Sequence, residues 1–251
     1  MEHLVRRAVE TIYKRHGEPL SLDELAQHAM VSKFHFLRMF SRVTGVTPGR
    51  FLSAVRLQEA KRLLLTTSLN VANISAEVGY SSTGTFTRRF TRSVGVSPTE
   101  YRRLHQGGWS VPPARALDRL CGAAQHEGTV VGHATAEGDL RSKFYIGLSE
   151  SIILQGPAVA SQIIDGQGAF VLSGVPAGTW YLHAVAYGTP DPAAPYAARA
   201  SEPPMLWDAV GPITVGPGAS PYVELRARAL DWSRPPILLA LPGLDPLVNA
   251  A

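Results

Sequence analysis

The first hundred residues repeat apolar positions with the period of amphipathic helices. From Leu4 to Tyr13 they recur on one helical face, and Gly17 with Pro19 ends that segment. Ser21 followed by Glu24 is a capping-box pattern, which predicts a second helix from Leu22 to Ala29. Four further helices follow. The first is capped by Ser32 and stopped at Gly45, and the second runs from about Arg50 to Leu65. The third is opened by Asn70 and ended by Gly79, the fourth runs from near Ser82 to Gly95, and residues 100–104 form a short tail.

After a Gly-Gly and Pro-Pro rich stretch the apolar period shortens from 3.6 to about 2, which is typical of strands. The predicted fold class is therefore multidomain α + β, with an all-α domain over residues 1–105, a linker over 106–126 and an all-β sandwich over 127–251. The candidate strands are Thr129–Ala136, Phe144–Ser149, Ala158–Ile164, Ala169–Ser173, Thr179–Tyr187, Ile213–Val215, Tyr222–Arg228 and Ile237–Leu241.

The helical half contains an internal repeat. Residues 34–48 and 84–98 are identical at seven of fifteen positions, and the preceding short helices align at a spacing of 49, so the second turn is one residue longer. The repeated unit is a short helix, a tight turn, a second helix, then glycine and proline. That order is a helix-turn-helix.

A helical wheel separates the repeated positions into two faces. Phe36 and Phe40 lie one turn apart, as do their repeats Phe86 and Phe90, so both pairs are predicted to face the core. Arg38 and its repeat Arg88 point about 160° away from those phenylalanines. An outward arginine alone is compatible with a solvated surface.

The distribution of charge favours a second interpretation of these arginines. Residues 1–105 carry sixteen Lys and Arg against eight Asp and Glu, a net +8, whereas the remainder carries −4, which together give the total of +4. A basic half predicts a polyanionic partner. Arginine can donate two hydrogen bonds to guanine in the major groove, and threonine or apolar side chains can contact thymine. The candidate DNA-contacting residues are Lys33, Phe34, His35, Leu37, Arg38, Arg42, Ser82, Thr83, Gly84, Thr87, Arg88 and Arg92.

Two points on this predicted surface stay open at the level of sequence. Phe34 is either exposed for contact with bases or buried against the neighbouring helix. The helix from Arg50 to Leu65 would span about 24 Å. When the widths of the helices at both of its ends are added, a separation near one DNA turn, about 34 Å, between the two recognition helices is plausible.

Residues from about 3 to 104 resemble the double helix-turn-helix domain of the AraC/XylS family of bacterial transcription regulators. The stretches SLDELAQHAMVSKFHFLRMFSRVTGVTPGRFLSAVRLQEAKRLLL and NVANISAEVGYSSTGTFTRRFTRSVGVSPTEYRRL carry the resemblance. The family signature is matched at Ile74, Gly79, Tyr80, Ser82, Phe86, Arg88, Phe90, Gly95, Pro98, Tyr101 and Arg102, with Ser75 in place of the usual alanine.

The resemblance implies seven helices, major-groove binding near promoters, and activation or repression of transcription. Most relatives place this domain behind a sensor domain, whereas here it comes first, so their mode of signalling is not carried over. In the second half, residues 165–186 resemble the hairpin of transthyretin-like, carboxypeptidase-regulatory-like sandwiches, with Phe170, Leu172, Trp180 and Leu182 facing inward. This motif implies a fold and no particular ligand.

No pattern of catalytic or metal-binding residues stands out. His126, His133 and His183 have no metal-ligand spacing, and the setting of Cys121 differs from that of alkyl-transferring relatives. A strip of Tyr181, His183, Val185 and Tyr187 is predicted on the outer face of its strand, either covered or serving as a ligand or dimer surface.

We therefore expect a cytoplasmic, non-enzymatic, sequence-specific regulator without cofactor. Its expected partners are double-stranded DNA, RNA polymerase, and a small-molecule effector or a second copy bound through the C-terminal domain, with no membrane. The alternative is a non-enzymatic architectural or adaptor protein that binds DNA without specificity and whose sandwich binds a protein partner.

Overall fold

The computed structural model describes residues 2–106, 127–136, 143–187 and 205–240. They divide into two compact units. The helical unit consists of Met1–Gly107 together with two short segments from later in the chain, Ile153–Gly156 and Asp231–Ala240. The sheet unit contains the seven described strands. A helical region followed by a sheet-rich region confirms the predicted fold class. The predicted linker, including Cys121, lies outside the described residues beyond Gln106.

The helical unit has seven helices within residues 2–106, as the family resemblance implies. Their bounds are α1 Glu2–Arg15, α2 Leu22–His28, α3 Lys33–Thr44, α4 Pro48–Thr66, α5 Val71–Glu77, α6 Thr83–Val94 and α7 Pro98–Gln106. The fourth helix begins earlier than predicted because Thr47 caps it and Pro48 occupies its first turn, where a missing N–H costs nothing.

The caps agree with the sequence pattern. The backbone N–H of Ser21 donates to the Glu24 carboxylate at 2.8 Å, and the Glu24 N–H donates back to the Ser21 hydroxyl at 3.1 Å. This capping box holds the pKa of Glu24 below its usual value, chiefly through the hydrogen bond from the Ser21 backbone. Helices α3 and α6 both end at a glycine in the left-handed conformation, Gly45 and Gly95.

Helix α4 is the centre of the helical unit. Ten of its nineteen residues are buried, including Phe51, Leu57 and Leu64. At 1.5 Å per residue its length is about 28 Å. Such a helix is apolar on most sides because other helices surround it, which explains why its pattern looks less amphipathic than that of α3 or α6.

The sheet unit contains seven strands in the order β3-β2-β5-β6-β7-β1-β4. Neighbouring strands are antiparallel except β1 and β7, which are parallel. Their bounds are β1 Glu127–Ala136, β2 Lys143–Ser149, β3 Ala160–Asp165, β4 Gly168–Pro176, β5 Gly178–Tyr187, β6 Met205–Val215 and β7 Tyr222–Ala229. Strands β6 and β7 pair at only two positions. The strands therefore form two groups, β3-β2-β5-β6 and β7-β1-β4, that share one core.

The prediction from the transthyretin-like motif is confirmed for the burial of its side chains and wrong for the pairing of its strands. Phe170, Leu172, Leu182 and Ala184 all lie in the core, as their alternation predicts. However, β4 pairs with β1, and β5 pairs with β2 and β6. The Val-Pro-Ala-Gly sequence of residues 175–178 therefore connects one strand group to the other and does not close a hairpin. Alternation identifies the buried face of a strand but not its hydrogen-bonding neighbour.

Two strand predictions need correction. Residues 237–240, predicted as part of a last strand, have no strand structure and belong to the helical unit. Strand β6 begins at Met205 and continues through Gly211 and Pro212, which the sequence pattern treated as a break.

The predicted outer strip on β5 is not an open surface. His183 and Val185 are fully buried, Tyr181 is half-buried, and the side chain of Tyr187 lies outside the described residues. The Nε2 atom of His183 lies 2.9 Å from both the Ser149 hydroxyl and the Ser151 carbonyl oxygen. Burial lowers the pKa of His183 to about 4, so this side chain is neutral at physiological pH.

Candidate nucleic-acid interface

The structure contains two helix-turn-helix repeats in the register that the sequence predicts. The first repeat is α2, its turn and α3, and the second is α5, its turn and α6. Helices α2 and α5 start 49 residues apart, whereas α3 and α6 start 50 apart, so the extra residue lies in the second turn. In both turns a backbone N–H reaches back five residues, from Val31 to Ala26 at 3.2 Å and from Tyr80 to Ser75 at 2.9 Å.

Each turn has one residue in the left-handed conformation. In the second repeat it is Gly79, with φ of 80°, and at the same place in the first repeat it is Met30, with φ of 54°. Glycine adopts this conformation without steric cost, whereas a side chain does so at a cost of about 1–2 kcal/mol. The Met30 side chain is 86% exposed, so no burial offsets that strain.

A cluster of three aromatic rings holds the second helix of each helix-turn-helix repeat. In the first repeat the ring centroids of Phe36 and Phe40 are 5.7 Å apart, and those of Phe40 and Phe51 are 5.6 Å apart. The equivalent cluster of Phe86, Phe90 and Tyr101 has spacings of 5.6 and 5.8 Å. All six rings are buried. The predicted core role of the four phenylalanines is therefore confirmed, and the repeat extends into the start of the following helix.

The outward faces of α3 and α6 present four arginines, Arg38, Arg42, Arg88 and Arg92. All four are exposed, and among the described residues none of them has a hydrogen-bond or ion-pair partner. The neighbouring Arg89 differs, because its guanidinium donates to the Ser53 hydroxyl at 3.3 Å. The four outward guanidinium groups are thus available to an external acceptor such as a phosphate or a base edge.

The open question about Phe34 is decided by its exposure. Its side chain is 77% exposed, so it does not pack against the neighbouring helix. Leu37 and Thr87 are half-buried at equivalent positions of the two helices. His35, Thr83 and Gly84 are exposed, and a Cβ on Gly84 would meet only the Ser82 hydroxyl, at 3.8 Å.

The remaining candidates lie at the helix starts and have partners within the chain. The Ser82 hydroxyl accepts from the Thr85 N–H at 3.4 Å, as the Ser32 hydroxyl does from His35. Lys33 forms an exposed ion pair with Asp23 at 2.9 Å. A hydroxyl that accepts in a cap can still donate its proton to a phosphate, and an exposed ion pair contributes only about 0–1 kcal/mol.

Two arginines of the basic half have a structural role that the charge count did not reveal. Arg56 donates to the carbonyl oxygens of His16 and Glu18 at 2.7 and 2.8 Å, and burial lowers its pKa. Arg102, which matches the family signature, donates to the carbonyl oxygens of Leu64 and Leu69 at 2.9 and 2.7 Å. Both arginines donate hydrogen bonds to carbonyl oxygens at or near helix ends. Only part of the positive charge of the helical unit is therefore available to a ligand.

Other kinds of site are not indicated within the part of the chain that the structure describes. That part holds no group of three or more metal-ligating side chains. None of its helices has the length and apolar character that crossing a membrane requires.

Comparison with known proteins identifies the helical region. A family described as "Helix-turn-helix domain" matches residues 25–104. An HTH-type transcriptional regulator of Mycobacterium tuberculosis is 40% identical over 89 residues, which are 36% of this chain and 34% of that protein. The HTH-type transcriptional activator AarP of Providencia stuartii is 37% identical over 88 residues, 35% of this chain and 65% of AarP.

Further matches are of the same kind. The right origin-binding protein of Escherichia coli is 37% identical over 102 residues, 39% of this chain and 35% of that protein. A solved AraC-type transcriptional regulator from Chromobacterium violaceum is 27% identical and covers 43% of this chain and 96% of its own, with a TM-score of 0.41. The chain spans about a third of the M. tuberculosis relative and less than two thirds of AarP.

The relatives from M. tuberculosis and P. stuartii are named as transcriptional regulators and not as enzymes, in agreement with the prediction of a non-enzymatic protein. The family match, residues 25–104, covers both helix-turn-helix repeats from within α2 onward, together with the α4 helix that joins them. Residues 25–104 are thus similar to the helix-turn-helix domain of these regulators, in agreement with the resemblance to the AraC/XylS family.

Proposed function

We propose that the chain is a sequence-specific DNA-binding transcription regulator that inserts α3 and α6 into successive major grooves of one duplex. The observation that carries this proposal is the repetition of exposed arginines without described partners, Arg38 with Arg88 and Arg42 with Arg92, on two helices built on the same scaffold. Helix packing does not require these positions to be arginine. An outward guanidinium on a recognition helix has the geometry for bidentate contact with guanine.

The proposed contacts divide into two classes. Arg38, Arg88, Phe34 and Thr87 are the proposed base readers because they lie on the outward faces of the recognition helices. Lys33, Arg42, Ser82 and Arg92, at the ends of those helices, are proposed to contact phosphates, with His35, Leu37, Thr83 and Gly84 beside the base readers. Phosphate contacts position a protein on DNA, whereas base contacts determine which sequence it prefers.

Selection of binding sites from random duplexes with the full chain tests this proposal. The expected result is an enriched motif with two half-sites about ten base pairs apart, which is one helical turn. No enrichment, with binding that depends only on salt, would favour the architectural or adaptor alternative.

Arginine variants then test the assignment of roles. On the selected site, Arg38→Ala and Arg88→Ala should each weaken binding by about 1–3 kcal/mol, or roughly five- to more than a hundredfold, and relax the preference in one half-site each. Arg62→Ala is the matched control, because Arg62 is exposed on α4 and paired with Glu59. Equal effects of all three variants would show that only net charge matters.

For the sheet unit we propose a regulatory or assembly role, as an effector-binding or self-associating part. Activation through RNA polymerase is proposed by similarity with AarP, which is named an activator. A thermal-shift screen of the full chain against metabolites, with light scattering at several concentrations, tests both roles of the sheet unit. A flat response with a monomer throughout would contradict them.

A further inference from the structure

The C-terminal end of α6 accepts two backbone hydrogen bonds from far along the chain. The N–H of Gly156 donates to the Ser93 carbonyl oxygen at 2.7 Å, and the N–H of Ala240 donates to the Val94 carbonyl oxygen at 3.0 Å. The last carbonyl groups of a helix have no partner within the helix. These two donors therefore satisfy acceptors at the end of the second recognition helix.

The two donating segments are joined to each other and to the helical unit. The N–H groups of Leu238 and Leu239 both donate to the Leu154 carbonyl oxygen, at 3.0 and 3.2 Å. Leu154 and Leu238 are each 1% exposed. We call residues 153–156 and 237–240 the α6 cap. Further upstream in the same segment, the ring of Trp232 lies 5.0 Å from the guanidinium of Arg6 on α1.

The fit at Gly156 is close. Its φ of +71° favours glycine, and a Cβ there would lie 3.0 Å from the Arg92 carbonyl oxygen. Arg92 lies in the last turn of α6 and is one of the proposed DNA contacts. Any displacement of the α6 cap would therefore act on the backbone that carries this side chain.

Short stretches of chain tether the α6 cap to the sheet unit. Strand β2 ends at Ser149, and strand β3 begins at Ala160, so residues 153–156 lie within the connection between them. Strand β7 ends at Ala229, and the helical unit resumes at Asp231. Three strands of the sheet unit thus lead within a few residues into segments of the helical unit.

We propose that the α6 cap is a coupling device, through which the state of strands β2, β3 and β7 sets the DNA affinity of the second repeat. A ligand or partner that shifts these strands would stabilise or loosen the end of α6, and DNA bound to α6 would act back on the strands by the same free energy. This inference rests on the proposed DNA binding, and only the first of its two measurements is independent of that function.

The first measurement is hydrogen exchange of the full chain without DNA. Gly156→Ala introduces a Cβ against α6, and Gly166→Ala is the matched control, because Gly166 has φ of +74° and no atom within 4 Å of an added Cβ. Residues 93–97 and 238–240 should exchange about tenfold faster in Gly156→Ala and as in the wild type in Gly166→Ala. Unchanged exchange in both variants would overturn the proposal.

A milder variant tests the same contact without backbone strain. Gln155→Ala removes the acceptor of the Ser93 hydroxyl, at 3.4 Å. It should accelerate exchange in the same residues to a smaller extent. This variant also provides a test if Gly156→Ala proves too unstable to purify. Protection equal to the wild type in Gln155→Ala, with an unfolded Gly156→Ala, would count against the α6 cap.

The second measurement is affinity for the selected DNA site. Gly156→Ala should bind about tenfold more weakly than Gly166→Ala, within the range of ordinary coupling energies, and base changes in the half-site of α6 should then matter less. Accelerated exchange with unchanged affinity would overturn the coupling. A wild type that binds no DNA would overturn the proposed function and with it the coupling, while the exchange result would still report whether the cap exists.

Discussion

The two helix-turn-helix repeats have the same scaffold and the same glycine cap, but the ends of α3 and α6 differ in their further hydrogen bonds. In the first repeat the Thr44 hydroxyl donates to the Phe40 carbonyl oxygen at 2.9 Å, within the same helix. At the equivalent place the second repeat has Val94, which has no hydroxyl, and its last carbonyl groups accept from Gly156 and Ala240. The end of the first repeat thus has an additional local hydrogen bond from its own side chain, whereas the end of the second has additional hydrogen bonds from residues distant in sequence.

The outward faces differ as much as the closures. Phe34, His35 and Leu37 in α3 correspond to Gly84, Thr85 and Thr87 in α6, whereas the buried phenylalanines and the outward arginines are the same. The duplicated unit therefore keeps the residues that packing requires together with the outward arginines, and varies other positions on the outward faces. This difference suggests that the two helices recognise different bases.

The largest expected effect tests whether the scaffolds are equivalent. Phe40→Ala and Phe90→Ala should each lower the free energy of unfolding of the helical unit by about 3–5 kcal/mol, because both rings are fully buried in a three-ring cluster. Urea unfolding followed by circular dichroism at 222 nm measures the loss. Losses that differ by more than about 1.5 kcal/mol would break the equivalence of the two cores.

The next effect concerns the faces. Phe34→Ala should weaken binding to the selected site and relax base preference in the half-site of α3 alone, whereas Thr87→Ala should do so only in the half-site of α6, at roughly 1–3 kcal/mol per position. Competition binding with single base-pair substitutions measures both. Relaxation of the same half-site by both variants would contradict separate recognition.

The difference in closure predicts a smaller asymmetry. Thr44→Val removes a buried hydroxyl that bonds to Phe40 and Val46, and it should cost roughly 1–2 kcal/mol. The reciprocal Val94→Thr places a hydroxyl where the chain has already supplied other donors, so it should not stabilise the protein. If Val94→Thr stabilised the unit as much as Thr44→Val destabilised it, the two ends would be interchangeable.

The smallest effect lies in the turns. Met30→Gly should stabilise the helical unit by about 0.5–1 kcal/mol, since it relieves the left-handed strain at an exposed position while adding backbone entropy to the unfolded chain. Gly79→Ala should destabilise it, because its Cβ would lie 2.8 Å from the Gly17 carbonyl oxygen. Gly49→Ala is the control for an added methyl group, because Gly49 is helical and has no neighbour within 4 Å, so this variant should leave the stability unchanged or raise it slightly.

Local patterns sufficed for most of the helical unit. The capping box at Ser21, the register shift between the repeats and the outward direction of Arg38 and Arg88 all follow from spacing within one or two turns of helix. Each depends on neighbours in sequence, so a single chain is enough to predict it. The role of these arginines toward DNA stays a prediction, because exposure alone does not identify a ligand.

Features that depend on distant partners were not predictable in the same way. Four residues such as 237–240 are apolar enough for a strand, and nothing local indicates that they belong to the helical unit. The alternation in β4 and β5 fixed their buried face but left their neighbours open. The exposure of Phe34 depends on the angle between helices, which the apolar pattern does not contain.

The hydrogen bond between Ala240 and Val94 joins residues 146 positions apart. During synthesis, at about 5–20 residues per second, α6 would be made roughly 7–30 seconds before its last backbone partner. In that interval the nascent helical unit has an unfinished end, while all seven described strands are still being made. Helix α6, which is proposed to read DNA, is thus formed early in the life of the chain and completed last.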